Sequence, residues 1–461
     1  MKIYGNEECV MKSPFEVYFE SLRGKKIAVF GLGVSNRPLV RLLLEFGCDC
    51  IGCDRTPREQ LDEEVLELER LGCKLSVGAN YLENLEADLV FRTPGMHPGI
   101  PALENLRAKG AEVTSEMEVF FEVCPCTILA ITGSDGKTTT TTLVSEMLKA
   151  AGHKVWVGGN IGTPLLPRVR EMTETDYCVV ELSSFQLMDM KRSPRVAVVT
   201  NLAPNHLDVH KDMDEYVEAK KNIFKFQNAD DILVINADNA ITAPFVGNGV
   251  TKAFSYQCKD AAVKLEGDMI TRNGEAVLNK KDILLPGEHN VENYMAAIAA
   301  VEGLVSDEVI CRVAKTFGGV EHRIELVRIK DGVRFYNDSI ASSPSRTMAG
   351  LRSFPDKVIL IAGGYDKHIP YDVLGPEICT HVKKLFLCGA TGPQIRTAVE
   401  NCTGEKPEMV DCGKFENAVK AAAAAAEAGD IVLMSPASAA FDQFKNFMVR
   451  GEFYKKLVRE L

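Results

Sequence analysis

Thr127–Leu143 reads TILAITGSDGKTTTTTL. The apolar run TILAIT has the length and composition of a buried strand, and the threonine-rich stretch before LVSEMLKAAG opens a helix. Between them lies a glycine-bounded loop. Successive backbone N–H groups over Gly133, Ser134, Asp135 and Gly136 can point at phosphate oxygens, as at other strand-to-helix junctions. Lys137 adds a positive charge, Thr138 can set its hydroxyl on Mg²⁺, and Thr139 continues the turn. A nucleoside triphosphate is the natural ligand. A standard Walker A loop needs glycine at position 131, where this chain has isoleucine, so the loop is shorter than that pattern. The competing reading is a plain turn before a helix with an exposed lysine.

Outward from this loop the α/β alternation continues. YCVVEL, VAVVTNL and DILVINAD read as strands, and VENYMAAIAAVEGL as a helix. Glu181 ends the first of these strands, where an isolated acid lies over the ligand crevice of an open sheet and suits a hard cation. TNLAPNHLDVH crowds His206, Asp208 and His210 together, a cluster as readily a surface turn as a site. The lysines of EAKKNIF read as solvated helix positions.

Upstream, residues 25–54 give strand, glycine turn, helix and strand, a Rossmann-like beginning. Gly31 and Gly33 are present, but Asn36 stands at the third glycine of the dinucleotide fingerprint. Asp54 ends the second strand, placed for a ribose or a nearby group. Downstream, KVILIAGG, KKLFLCG and DIVLMSPA are strands of a third alternation, and NAVKAAAAAAEAG a helix closed by Gly429. The fold class is therefore α/β, three successive alternations with a Rossmann-like beginning and a phosphate loop in the middle one.

Composition bounds the partners. The chain has 461 residues, 46% apolar and 25% charged, with a formal net charge of −11, a globular composition that disfavours nucleic acid. The N-terminus lacks a signal-peptide stretch, and no apolar run is long enough to cross a bilayer, so a cytoplasmic protein without membrane attachment is expected. Fourteen cysteines show no framework spacing, as in reduced intracellular proteins. Cys48, Cys50 and Cys53 contain a CxxC, but it lacks a second ligand pair and lies in a buried-strand run.

The ordered set GSDGKTT, the acid of ELSSFQL, NH of TNLAPNHLDVH, AK of EAKKNIF, GEHNVENYMAA, HRIE, NDS, GGYDK and SPASAAFDQFKNF resembles the Mur ligases, which build the peptide stem of bacterial peptidoglycan. ELSSFQL and the DQFKNF ending are most similar to the members that add D-glutamate to UDP-N-acetylmuramoyl-L-alanine. The resemblance implies three domains: a Rossmann-like N-terminal domain, 1–114, for the UDP-sugar; a central P-loop-type ATPase domain, 115–320; and a Rossmann-like C-terminal domain, 321–461, for the amino acid. It implies that Val34, Ser35, Asp54, Arg55, Thr56, Gly95, Asn160 and Ser183 hold the UDP substrate. The ATP side would comprise Gly133 to Thr139, Asn290, Asn293, Arg323 and Asp338. Thr138, Glu181, His206 and a carbamylated Lys220 would serve two Mg²⁺ ions, with Lys137, Lys220 and His206 as the catalytic set. The implied route is attack of a carboxylate on the γ-phosphate of ATP, then attack of an amine on the acyl phosphate. A monomer is expected.

The chain departs from the family at the amino-acid end. NDSIASS puts Ile340 where the D-glutamate-adding members carry lysine, and SPASAAF puts Ala440 where serine is usual. Lys367, Ser342 and the Phe447 backbone remain as amino-acid anchors. Three other readings stand beside this one: a changed amino-acid preference, an NAD-dependent oxidoreductase built on the N-terminal fold, and a non-catalytic nucleotide-binding module. Folylpolyglutamate synthase shares the central ATPase, but the extra N-terminal Rossmann-like domain speaks against it.

Overall fold

A computed structural model describes residues 12–206 and 209–461; Asp208 of the histidine cluster lies outside them. Three sheets account for the strands. The first contains β1 (Ile27–Phe30), β2 (Cys50–Asp54), β3 (Lys74–Val77), β4 (Leu89–Arg92) and β5 (Glu112–Thr114). All its strands are parallel, in the order β3-β2-β1-β4-β5. Order reverses between β1 and β4, so the loops after β1, β2 and β4 share one crevice at the carboxyl edge. Cys48, Cys50 and Cys53 are buried here.

The second sheet contains β6 (Thr127–Thr132), β7 (Val155–Gly159), β8 (Tyr177–Glu181), β9 (Val196–Val199), β10 (Ile232–Asn236), β11 (Val250–Ser255), β12 (Val263–Glu266), β13 (Met269–Arg272) and β14 (Glu275–Asn279). Its order is β14-β13-β12-β11-β10-β9-β6-β8-β7, with only β13 and β14 antiparallel to their neighbours. The all-apolar runs of β6, β8, β9 and β10 lie mid-sheet because helices cover both faces of a parallel sheet. One apolar cluster runs from Phe15, Val29 and Phe91 through Val180 and Val199 to Leu233, so the first two sheets share a core.

The third sheet contains β15 (Glu325–Lys330), β16 (Val333–Asn337), β17 (Val358–Gly363), β18 (Val382–Cys388), β19 (Glu408–Gly413) and β20 (Ile431–Met434), ordered β15-β16-β20-β17-β18-β19 with β15 alone antiparallel. The alanine-rich helix spans Phe415–Ala424 and stops short of Gly429. The Asp430 carboxylate takes the Glu427 N–H at 2.9 Å, and the chain turns there despite alanine's helix propensity. The chain forms two compact units: one runs to Lys280 and includes Glu292–Val313, the other comprises Lys281–Val291 and Ala314–Leu461. No helix among the described residues is long and apolar enough to cross a membrane.

Candidate active site

The phosphate loop joins β6 to the helix Lys137–Ala150. Gly133 has φ 150°, and a Cβ there would sit 1.9 Å from Thr200 Oγ1. Gly136 caps the helix at φ 77°, and its Cβ would meet Asn293 Oδ1 at 2.3 Å. Both positions demand glycine, for conformation and for space. The order β9-β6-β8 brings the segments after β9 and β8 to either side of the loop. From β9, Asn201 O accepts from Ser134 N at 2.8 Å, Asn201 Oδ1 accepts from Asp135 N at 3.0 Å, and Thr200 Oγ1 donates to Asp135 O at 2.6 Å. Ser134 Oγ donates to Ala203 O at 3.0 Å and lies 2.9 Å from Tyr216 OH.

Lys137 Nζ folds back on its loop, donating to Gly133 O at 3.0 Å and Ser134 O at 2.9 Å. The amine is therefore half-buried at the loop rather than directed into solvent. From β8, Glu181 is 1% exposed and gathers two neighbours. Its Oε2 accepts from Thr138 Oγ1 at 2.7 Å and its Oε1 from Asn160 Nδ2 at 2.7 Å. Thr138 and Glu181 thus present hard oxygen donors side by side at the loop, a donor set that fits Mg²⁺.

Lys220 corrects the expectation of a solvated lysine. The helix Met213–Lys225 buries Tyr216, Ala219, Lys220 and Ile223, the i, i+3, i+4, i+7 stripe of an amphipathic helix. Lys220 belongs to that stripe and is 2% exposed. Its Nζ donates to Thr132 Oγ1 and Gly133 O, both at 2.9 Å. Burial, reinforced by the charge of Lys137 and opposed by Glu181, holds this amine well below its ordinary range.

His206 is exposed with φ 54° and lies edge-on to Phe185, 5.0 Å between ring centroids. His210 is buried, stacked on the same ring at 5.4 Å, with Nε2 2.9 Å from Ser184 Oγ. Burial keeps His210 below its usual pKa although Glu215 pulls the other way. Ser183 caps the short helix Ser184–Leu187, its hydroxyl shared with Gln186.

In the N-terminal crevice, Asp54 staples two loops by accepting from Leu32 N at 2.8 Å and Thr56 N at 2.9 Å. Burial opposes ionisation, but these N–H groups hold the carboxyl below its usual range. Asn36, where the fingerprint has glycine, is buried and donates from Nδ2 to Phe30 O at 3.1 Å and Gly31 O at 2.9 Å. It holds the turn with side-chain hydrogen bonds instead of leaving room for a close backbone approach. Val34 and Arg55 are exposed, Ser35 and Thr56 half-buried, and Gly95 is exposed in the loop after β4.

Arg92, at the end of β4, was not singled out by any sequence motif. Its guanidinium is fully buried and donates from Nη1 to Met96 O at 2.6 Å, from Nη2 to Phe185 O at 3.1 Å and Asp189 Oδ1 at 2.5 Å, and from Nε to Asp189 Oδ2 at 3.2 Å. It fastens the Gly95 loop to the helix after Glu181. Arg92→Ala should lower the stability of this unit by about 3 kcal/mol, because a buried guanidinium–carboxylate pair loses one partner. A urea midpoint unchanged from the parent would contradict this role.

Asn293 accepts from Thr140 Oγ1 at 3.2 Å, beside Gly136. Asn290 belongs to the other compact unit and donates to Pro286 O at 2.6 Å. Within that second unit the loops after β16, β20 and β17 converge. Buried Arg450 donates to Ser339 Oγ, Ser339 O, Ser438 O and Ala439 O at 2.9–3.1 Å. Ser339 Oγ donates to Phe447 O at 2.8 Å. Ser342 is half-buried, Lys367 and Arg323 are exposed, and Ala440 is buried. Arg346, not singled out in the sequence, is exposed and donates from Nη1 to Ile340 O at 3.1 Å.

Asp338 accepts from Ser435 Oγ at 2.7 Å, and burial pushes its carboxyl up to about 7. The folded state therefore holds this proton more tightly than the unfolded chain. The resulting stability is complete below the usual 3.8 and lost as pH rises through about 7. Asp338→Asn should remove about 2–4 kcal/mol of that pH dependence, measured as the difference in urea-unfolding slopes against pH. Parallel curves for parent and variant would refute it.

A strand-loop-helix phosphate cradle, an acid on the adjacent strand and a buried lysine beneath the loop define an α/β protein with a phosphate-binding site, and comparison with known proteins gives its family. Residues 131–301 match the Mur ligase middle domain and residues 322–438 the Mur ligase glutamate ligase domain. The chain belongs to the Mur ligase family. It is 51% identical over 464 residues to UDP-N-acetylmuramoylalanine--D-glutamate ligase of Acetivibrio thermocellus, covering 98% of this chain and 100% of that one. The enzyme of the same name from Clostridium novyi is 48% identical over 459 residues, with 98% and 100% covered. Among solved structures, UDP-N-acetylmuramate-alanine ligase of Thermotoga maritima shares the fold, with a TM-score of 0.56 at 19% identity over 95% of this chain and 99% of that one.

Proposed function

We propose that this chain is an ATP-dependent amide ligase that joins D-glutamate to UDP-N-acetylmuramoyl-L-alanine through an acyl phosphate. The observation that carries the reading is the convergence of the Gly133–Gly136 loop, Lys137, Thr138, Glu181 and buried Lys220 at the carboxyl ends of β6 and β8, in a chain about half identical to ligases of that name along its whole length. In this reading residues 1–114, 115–320 and 321–461 are three functional domains. The β1, β2 and β4 loops, with Asn160 and Ser183, bind the UDP-sugar. By the family resemblance, Asn290, Arg323 and Asp338 are further candidates for nucleotide binding.

An amide forms from a carboxylate only after its oxygen becomes a leaving group. The loop N–H groups orient the triphosphate, and Lys137 leaves its carbonyl partners to offset charge on the transferred phosphoryl group. Thr138 and Glu181 would hold one Mg²⁺, and His206 with a carbamylated Lys220 a second. When bound, these ions offset the negative charge of the phosphates. The substrate carboxylate attacks the γ-phosphorus and ADP leaves. The amine of D-glutamate then attacks the acyl carbon and phosphate leaves.

The test is phosphate release with ATP–Mg²⁺, UDP-N-acetylmuramoyl-L-alanine and a panel of amino acids. Release should require all three and be fastest with D-glutamate. Preference for L-glutamate, D-aspartate or D-lysine would overturn the assignment.

The incoming side-chain carboxylate needs cations, and Ile340 and Ala440 supply none. Lys367 and Arg346 take that part. Loss of one charged hydrogen bond costs about 1.5–3 kcal/mol, or roughly 10- to 100-fold. Lys367→Ala and Arg346→Ala should each raise KM for D-glutamate by that factor while KM for ATP moves little. Equal changes in both KM values would remove these residues from the amino-acid pocket.

A further inference from the structure

Three thiols that the ligase chemistry leaves unused meet at the opposite end of the central sheet from the phosphate loop. Cys124 caps the helix Glu116–Val123, Cys126 immediately precedes β6, and Cys178 is the second residue of β8. Their sulfurs lie within 4.8 Å of one another, and Cys124 Sγ is 3.7 Å from Cys178 Sγ. Met172 brings a fourth sulfur, its Sδ 3.9 Å from Cys178 Sγ. Cys178 is fully buried, Cys126 buried and Cys124 half-buried. A cavity of about 440 Å³ reaches the cluster, its wall including Cys124, Cys126, Tyr177 and Glu302.

The spacing matches a coordination sphere better than a covalent bridge. Metal–sulfur bonds of about 2.3 Å set sulfurs roughly 3.8–4.0 Å apart in tetrahedral or trigonal geometry, whereas a disulfide closes to about 2.05 Å. The donor set is all sulfur, which selects soft cations over Mg²⁺. Structural Zn²⁺ sites take a fourth thiolate or imidazole. Here the fourth sulfur is a thioether, a ligand that suits Cu⁺.

We propose that Cys124, Cys126 and Cys178 bind one soft cation of the Cu⁺ type as thiolates, with the Met172 thioether beside it. Each thiol gives up its proton on coordination and no electrons move. A bound cation would clip β6, which leads into the phosphate loop, to β8, which reaches Glu181 three residues later, about 10 Å along the strand.

The experiment uses the full chain, reduced and anaerobic, titrated with Cu⁺ in competition with bathocuproine disulfonate. The parent should withhold one Cu⁺ per chain from the chelator, show thiolate-to-copper absorption in the ultraviolet, and melt at higher temperature when loaded. The Cys124→Ser/Cys126→Ser double variant alters only the cavity wall, and its metal-free melting temperature reports that it folds. It should bind Cu⁺ about 100-fold or more weakly and show no loading-dependent rise in melting temperature. Equal retention by parent and folded variant would overturn the site. Displacement of Cu⁺ by excess Zn²⁺ or Mg²⁺ would overturn the soft-cation assignment, as would a Cys124–Cys178 disulfide persisting in glutathione.

Discussion

Lys137→Ala should lower kcat/KM about 1000-fold, a loss of roughly 4 kcal/mol of transition-state stabilisation. Three negative oxygens move during phosphoryl transfer, and this amine is the cation built into the loop that must meet them. In the structure it is held by Gly133 O and Ser134 O, so the charge is already at the loop and turns from these carbonyls to the phosphates when substrate arrives. Those carbonyls lose a donor in the variant, which costs stability by about 1 kcal/mol. The melting temperature should thus fall slightly while catalysis collapses. Turnover within tenfold of the parent would remove Lys137 from the chemistry, whereas a variant that fails to fold would show that the loop depends on its amine.

Lys220→Ala should be nearly inactive, at about 10⁻³ of parental kcat, and regain at least tenfold on addition of acetate or formate. The amine sits in a site where burial and Lys137 disfavour its charge. A neutral amine adds CO₂, losing a proton to give a carbamate, and the product is an anion fixed where Lys220 meets Thr132 and Gly133. Truncation leaves a space that a small carboxylate can enter. Native mass spectrometry should show the mass of one CO₂ on the parent and not on the variant. The opposing account keeps Lys220 as a cation bonded to Thr132 and Gly133. It expects no rescue by carboxylates and partial activity in Lys220→Arg, and that pattern would sink the carbamate.

The sequence carried the middle of the molecule better than its margins. β6, β8, β9 and β10 are continuous apolar runs ended by glycine, asparagine or an acid, because they are covered on both faces. β11 to β14 read VTKAFS, VKLE, MITR and EAVLN, half-exposed segments whose charges hide any periodicity. They take strand form from their neighbours in the sheet. Glu181 was legible because a lone acid at the end of an apolar strand has few reasons to be there. Lys220 was misread as solvated although its spacing from Tyr216 and Ile223 puts it in the apolar stripe; the periodicity contained the signal, and the usual behaviour of lysine outweighed it. Arg92 and Asp189 were beyond reach, since 97 residues separate them and only the strand order brings them together.

That last pair has a kinetic consequence. A guanidinium buried between the loop after β4 and the helix after β8 makes the two walls of the N-terminal unit's clefts a single rigid template. A guest entering along one wall finds the other already in its final posture, so the second arrival need not wait for a rearrangement of the first.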